Sequence, residues 1–137
     1  MIVATADSNI YISALQFGGV PLQLLDAARN GTFQLAISEA LITEIQGVLF
    51  YKFHWSKEML DEGITSLQDF TQLVKPKQTL KIIAADPDDD RVIECAMASG
   101  SQFLISGDKH LLRLVRYENI RILKVSEFLS LIPKWPA

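Results

Sequence analysis

Short apolar runs alternate with longer amphipathic stretches along the whole chain, a pattern that predicts an α/β domain. Ile2–Ala6 is a run of strand formers that stops at Asp7-Ser8-Asn9, whose side chains suit a turn or helix cap. A helix from about Ile10 to Phe17 follows, and Gly18-Gly19 ends it. Pro21 then opens a second helix, which Gly31 closes. Phe33–Ile37 reads as the second strand, with Ser38 capping a helix from Glu39 to about Lys52. Ser56 caps a longer helix from Lys57 to about Val74, limited by Pro76, and Leu80–Ala84 is expected as the third strand. Asp86–Asp89 reads as a turn, with Asp89 the cap that leaves Asp90 in the first turn of a helix reaching Ser99. Gln102–Ser106 is the fourth strand, Lys109–Arg116 a short helix, Ile120–Leu123 the fifth strand and Ser126–Ile132 a closing helix. Strands alternating with helices imply a mainly parallel sheet, and without repeats or linkers the 137 residues are expected to form one domain.

Four acids stand where folding alone does not require them. Asp7 and Asp108 each follow an apolar strand, and the carboxyl ends of parallel strands form the binding edge of an open sheet. Asp90 opens the helix that feeds the fourth strand, so it starts near the same edge. Glu44 falls on the Leu41, Ile45 and Val48 stripe of its helix and points towards the core side. A carboxylate buried there unpaired costs several kcal/mol or is driven to protonate, and a metal or cationic partner relieves this. Each acid alone has a simpler explanation, a helix cap for Asp7 and Asp90, a turn acid after Gly107 for Asp108 and a stripe edge for Glu44. Their joint placement points to a carboxylate cage for a divalent metal, and so to a metal-dependent hydrolase. Asp86, Asp88 and Asp89 read as turn formers and a cap rather than ligands.

Composition narrows the chemistry. With two His, one Cys and many carboxylates, the donor set is oxygen-rich and suits Mg²⁺ or Mn²⁺ better than zinc. His54 and His110 have no ligand-spaced partner, and Cys95 sits among Ile93, Ala96 and Met97 as a core thiol suited to a reducing compartment. The net charge of −3 argues against a polyanionic partner, but Lys109, Arg113, Arg116, Arg121 and Lys124 face only Glu118 in their segment. That stretch is either a solvated face or a phosphate-binding patch. No targeting signal and no membrane-length apolar segment stands out, so a soluble, cytoplasmic protein is expected.

In order and spacing, Asp7-Ser8-Asn9 after the first strand, Ser38 and Glu44 on the next unit, Asp90 opening Arg91-Val92-Ile93-Glu94-Cys95-Ala96, and Ser106-Gly107-Asp108 resemble the PIN-domain family. The likeness spans roughly residues 1–130 and is nearest to the VapC-like toxin components of toxin–antitoxin systems. It implies a Rossmann-like three-layer α/β/α sandwich with a mainly parallel five-stranded sheet of order 3-2-1-4-5. It also implies Mg²⁺- or Mn²⁺-dependent endoribonuclease activity, with RNA as substrate and an antitoxin as partner. On that basis Asp7, Glu44, Asp90 and Asp108 form the catalytic, metal-holding cluster. Asn9 and Ser106 orient carboxylates, and Lys109, Arg113 and Arg116 are candidates for substrate contact. Helices around Leu24-Leu25 and Leu60–Phe70 offer apolar surface for an antitoxin or homodimer, although core packing explains them as well. Two rivals remain: a non-catalytic PIN-like binding module, and a phosphotransfer domain with Asp7 as acceptor. The dehalogenase type of the latter wants a second acid at the position of Asn9.

Overall fold

The computed structural model describes residues 1–81 and 87–133, the side chains of 87 and 88 excepted. Its centre is β1 (Val3–Ala6), flanked by β2 (Gln34–Ser38) and β4 (Phe103–Ile105), both parallel to it. Ala4, Thr5 and Ala6 are buried, which is why this strand reads as a continuous run rather than an alternation. Beyond β2 lies β3 (Thr71–Val74), and beyond β4 lie β6 (Ile120–Leu123) and β5 (Arg116–Tyr117). The order is β3-β2-β1-β4-β6-β5, parallel except for the short β5–β6 hairpin at one edge. The five parallel strands keep the expected 3-2-1-4-5 order, with the antiparallel edge strand as an unexpected sixth.

Among the described residues seven helices pack with this sheet in a Rossmann-like α/β/α arrangement. α1 (Ser8–Phe17) starts two residues earlier than expected, because the Asp7 side chain caps it through the Ile10 N–H at 3.1 Å. α2 (Gly19–Arg29) and α3 (Glu39–Tyr51) follow, and the Ser38 hydroxyl accepts from the Leu41 N–H at the head of α3. α5 (Pro87–Ser99) packs against β1, β2 and β3, while α7 (Val125–Leu131) packs against α2. Leu24, Leu25, Ile64 and Leu67 lie in the core, so the apolar helices considered for partners are occupied in folding. The exposed large apolar residues include Phe17, Val20, Phe50 and Tyr51. Among the described residues no helix is long and apolar enough to cross a membrane.

Three segments depart from the sequence reading. α4 (Lys57–Phe70) stops before Thr71, whose hydroxyl bonds the Leu67 carbonyl at 2.7 Å as the backbone turns extended. Thr71–Val74 is therefore the third strand, paired with Leu35–Ser38. Leu80 and Lys81 carry no regular structure, and the rest of the expected Leu80–Ala84 strand lies outside the described residues. α5 begins at Pro87, a residue suited to the first helical position, so Asp89 is inside the helix rather than its cap. α6 (Lys109–Leu114) ends short of Arg116, because Val115 adopts φ 60° and the chain enters the hairpin.

Candidate metal centre

The sheet register lines up the side chains at its carboxyl edge. β1 pairs Thr5 with Ala36, β4 pairs Ile105 with Ala6 and Leu123, and β3 pairs Val74 with Ser38. Continuing each ladder by a residue or two gives one row across the edge: Val74, Ser38, Asp7, Ser106, Lys124. The Asp7 N–H bonds the Ile105 carbonyl at 3.0 Å and the Ser106 N–H bonds the Leu123 carbonyl at 2.9 Å, which anchors the row. Asp7 stands at its centre with a serine on either side.

Asp7 is 4% exposed. One carboxylate oxygen, Oδ1, accepts the Ile10 N–H of the cap, and the other, Oδ2, accepts a short hydrogen bond from the Ser106 hydroxyl. Burial pushes the carboxyl up to about 6, against the pull of the Ser106 and Ile10 hydrogen bonds, with the Asp108 and Glu44 charges adding to the rise. Those charges place Asp7, Asp108 and Glu44 in one electrostatic neighbourhood. Ser106 links the first two: its Oγ also accepts the Asp108 N–H at 2.9 Å. Asp108 in turn caps α6, with Oδ1 accepting from the N–H groups of His110 at 2.8 Å and Leu111 at 3.3 Å. The helix-cap explanation of Asp7 is thus realised, and Asp108, read from sequence as a turn acid, is a cap as well; Ser106 nonetheless links the two.

Glu44 is half-buried on α3, beside the buried Leu41 and Ile45. Asp90, 3% exposed, sits in the first turn of α5. That turn reaches the same edge, since its next residue, Arg91, lines a groove with Ser38 and Val74. Among the described residues, no three His, Cys, Asp or Glu side chains are grouped closely enough to hold a metal ion. In chemistry the set nonetheless fits a hard divalent cation, being all carboxylate and including an acid whose ionisation is opposed by burial and by the Asp108 and Glu44 charges.

The remaining candidates divide. Asn9 is exposed, one residue past the inward-facing Ser8, so its side chain lies outside the buried hydrogen bonds around Asp7. Lys109 is exposed and adjoins Asp108, and Arg113 lies one turn further along α6. Arg116 pairs with Arg121 opposite Phe103, three residues before the edge row, which sets its backbone about 10 Å from the level of Asp7. His54 is exposed and His110 half-buried, and Cys95 is a buried free thiol pushed up to about 11 by burial. Sequence reasoning missed Tyr11, fully buried with a hydroxyl that has no hydrogen-bond partner among the described residues. Burial, then the nearby Cys95 and Asp7, raises its ionisation well above the usual tyrosine range. Within Ile10-Tyr11-Ile12 it carries no signal that separates it from a core aromatic.

A parallel sheet of this order with acids at its carboxyl edge defines an α/β domain of the Rossmann-like class. Residues 4–110 match the family model described as PIN domain, and the chain belongs to the PIN-domain family. Among solved structures it is similar to a chain in the crystal structure of VapBC2 from Rickettsia felis bound to a DNA fragment from their promoter. That match has a TM-score of 0.63 and 17% identity, covering 88% of this chain and 97% of the other. Comparison with curated proteins gives no match.

Proposed function

We propose that this chain is a metal-dependent endoribonuclease and the toxin of a toxin–antitoxin pair. The observation that carries the reading is the row centred on Asp7, where a buried carboxylate is held by Ser106 within the field of Asp108 and Glu44. PIN-family membership and the likeness to a VapBC2 chain support it. Asp7, Glu44, Asp90 and Asp108 would hold Mg²⁺ or Mn²⁺, which supplies positive charge against the phosphate and lowers the pKa of water. Ser106 keeps Asp7 oriented and favours its ionised form. Glu44 takes the proton of the water that attacks phosphorus in line. Lys109, next to Asp108, and Arg113, one turn further along α6, receive the neighbouring phosphates. Phe17, Val20, Phe50 and Tyr51 supply exposed apolar surface for an antitoxin or a second copy.

The purified protein is expected to cleave single-stranded RNA internally with Mn²⁺ or Mg²⁺ and to stop on chelation. Metal-independent cleavage, or none across varied RNAs, would sink the proposal. A second expectation concerns Ser106→Ala. Removing a hydrogen bond that lowers the Asp7 pKa moves that pKa further up, so the acid limb of the pH–rate profile shifts to higher pH. Activity should therefore fall more at about pH 6 than at about pH 8, and a uniform loss would point to a merely structural serine.

One observation favours a second reading, a PIN-fold module that binds nucleic acid without cutting it: the acids do not close into a cage among the described residues. RNA binding with no metal-stimulated cleavage would select it. The phosphotransfer alternative gains nothing from the exposed Asn9, which stands where its second acid would be needed.

A further inference from the structure

The charges along the carboxyl edge follow a simple order. From the β3 side, the row and the residues just after it run Lys75, Ser38, Asp7, Ser106, Lys124, with Asp108 and Lys109 close behind Ser106. A lysine therefore follows the strand two positions away from β1 on either side, about 10 Å from Asp7 by strand spacing. The α6 side was legible as a basic segment. The β3 side was not.

There the surface holds two neighbouring grooves that share lining residues. The first, about 350 Å³, begins at Ser38, next to Asp7 in the row, and is lined by Glu39, Lys75, Pro76, Arg91 and Glu94. The second, about 290 Å³, shares Lys75 and Glu94 and continues past Lys77, Leu80 and Met97. Arg91 and Glu94 pair at 2.6 Å, and each also holds the backbone of Leu80: Glu94 accepts its N–H at 2.6 Å and Arg91 donates to its carbonyl at 3.0 Å. The pair thus cancels its own charge and pins one end of the segment after β3. Pro76 stiffens the other end. Lys75 and Lys77, two residues apart in a non-helical stretch, both line the second groove. Among the described residues that line the two grooves, Glu94 is paired with Arg91, and Glu39 is the other acid beside these exposed lysines.

We propose that Lys75 and Lys77 form a second phosphate-binding arm, so that a single phosphodiester strand crosses the carboxyl edge from this groove, over Asp7, to the α6 side. The inference rests on the ribonuclease reading for the identity of the strand. Held on both sides of Asp7, the strand is engaged internally rather than by an end.

The test is anisotropy of a labelled single-stranded RNA of about 12 nucleotides, a length within the range single-strand sites span, titrated with the full chain in chelator. K75E/K77E is expected to bind about tenfold more weakly, with the salt slope reduced by about 1.4, the value for two phosphate contacts on a single strand. K57E, exposed on α4 and outside both grooves, is the control for a charge reversal elsewhere and should bind as wild type, with the single variants K75E and K77E matched to it in charge. All three substitutions are at exposed positions, and equal melting temperatures would confirm that folding is unaffected. Cleavage with Mn²⁺ is measured in parallel. Wild-type cleavage with RNA binding unchanged in K75E/K77E overturns the second arm and leaves the hydrolase reading intact. Lysine-dependent binding without cleavage supports the arm and removes the hydrolase. Loss of binding to an acidic peptide but not to RNA would assign the groove to a protein partner and also overturn the arm.

Discussion

Asp7→Asn should abolish metal-dependent RNA cleavage and, without metal, make the protein more stable at neutral pH. The first half follows from its place at the centre of the row. Partners that merely orient a metal ligand typically contribute about 10–100-fold, so loss of the central carboxylate should exceed the upper figure. The second half follows from burial. The carboxyl rises from 3.8 to about 6 in the folded chain, which therefore holds this proton more tightly than the unfolded chain does. Stability from this group is present below about pH 4 and falls as pH climbs to about 6. By neutral pH the loss reaches about 3 kcal/mol. Asparagine has no charge to desolvate and caps a helix about as well as aspartate. In chelator at pH 7 the variant should melt above wild type, and the gap should close as pH approaches 4. Added Mn²⁺ should raise the wild-type melting temperature through binding to the native state and leave the variant unmoved. A variant less stable than wild type at pH 7 would show that the carboxylate is not under the strain its surroundings imply.

That strain was partly legible in the sequence. Asp7 and Asp108 could be placed because parallel strands bring their carboxyl ends to one edge, and Glu44 because helix phase turned it inward. The cap at Asp7 was legible too, whereas Asp108 read as a turn acid and instead caps α6 through the His110 and Leu111 N–H groups. Thr71–Val74 was not legible. Leu60, Ile64, Leu67, Thr71 and Val74 keep a helical period, and the open edge of β2, a tertiary feature, draws the last four residues into a strand. β5 is two residues long and exists only as a partner for β6, so Arg116 was assigned to the basic helix when it belongs at the far end of the sheet. Asn9 is exposed by phase: with Asp7 capping and Ser8 buried, the next residue of α1 lies at the surface. Lys75 and Lys77 lie in a stretch with no periodicity, and their significance comes from the register of strands far away in sequence.

Phe128→Ala is expected to cost about 3–5 kcal/mol, a large share of the roughly 5–15 kcal/mol that stabilises a small domain. Phe128 is fully buried, with its ring 4.8 Å from that of Phe33 and 5.5 Å from that of Phe103, both edge-on. Truncation removes both aromatic contacts and leaves a cavity between α7 and the strand that carries Phe103. The family match ends at residue 110, yet β6 and α7 lie beyond it and complete this core. The loss should be one of folding alone. Phe103 pairs with Ala4, three residues before Asp7, so the ring cluster sits about 10 Å from the level of the acids. Chemical denaturation should therefore show a lower midpoint, while the cleavage rate, corrected for the folded fraction, stays near wild type. A rate that falls further than the folded fraction would mean that the aromatic cluster sets the position of the carboxyl edge as well as its stability.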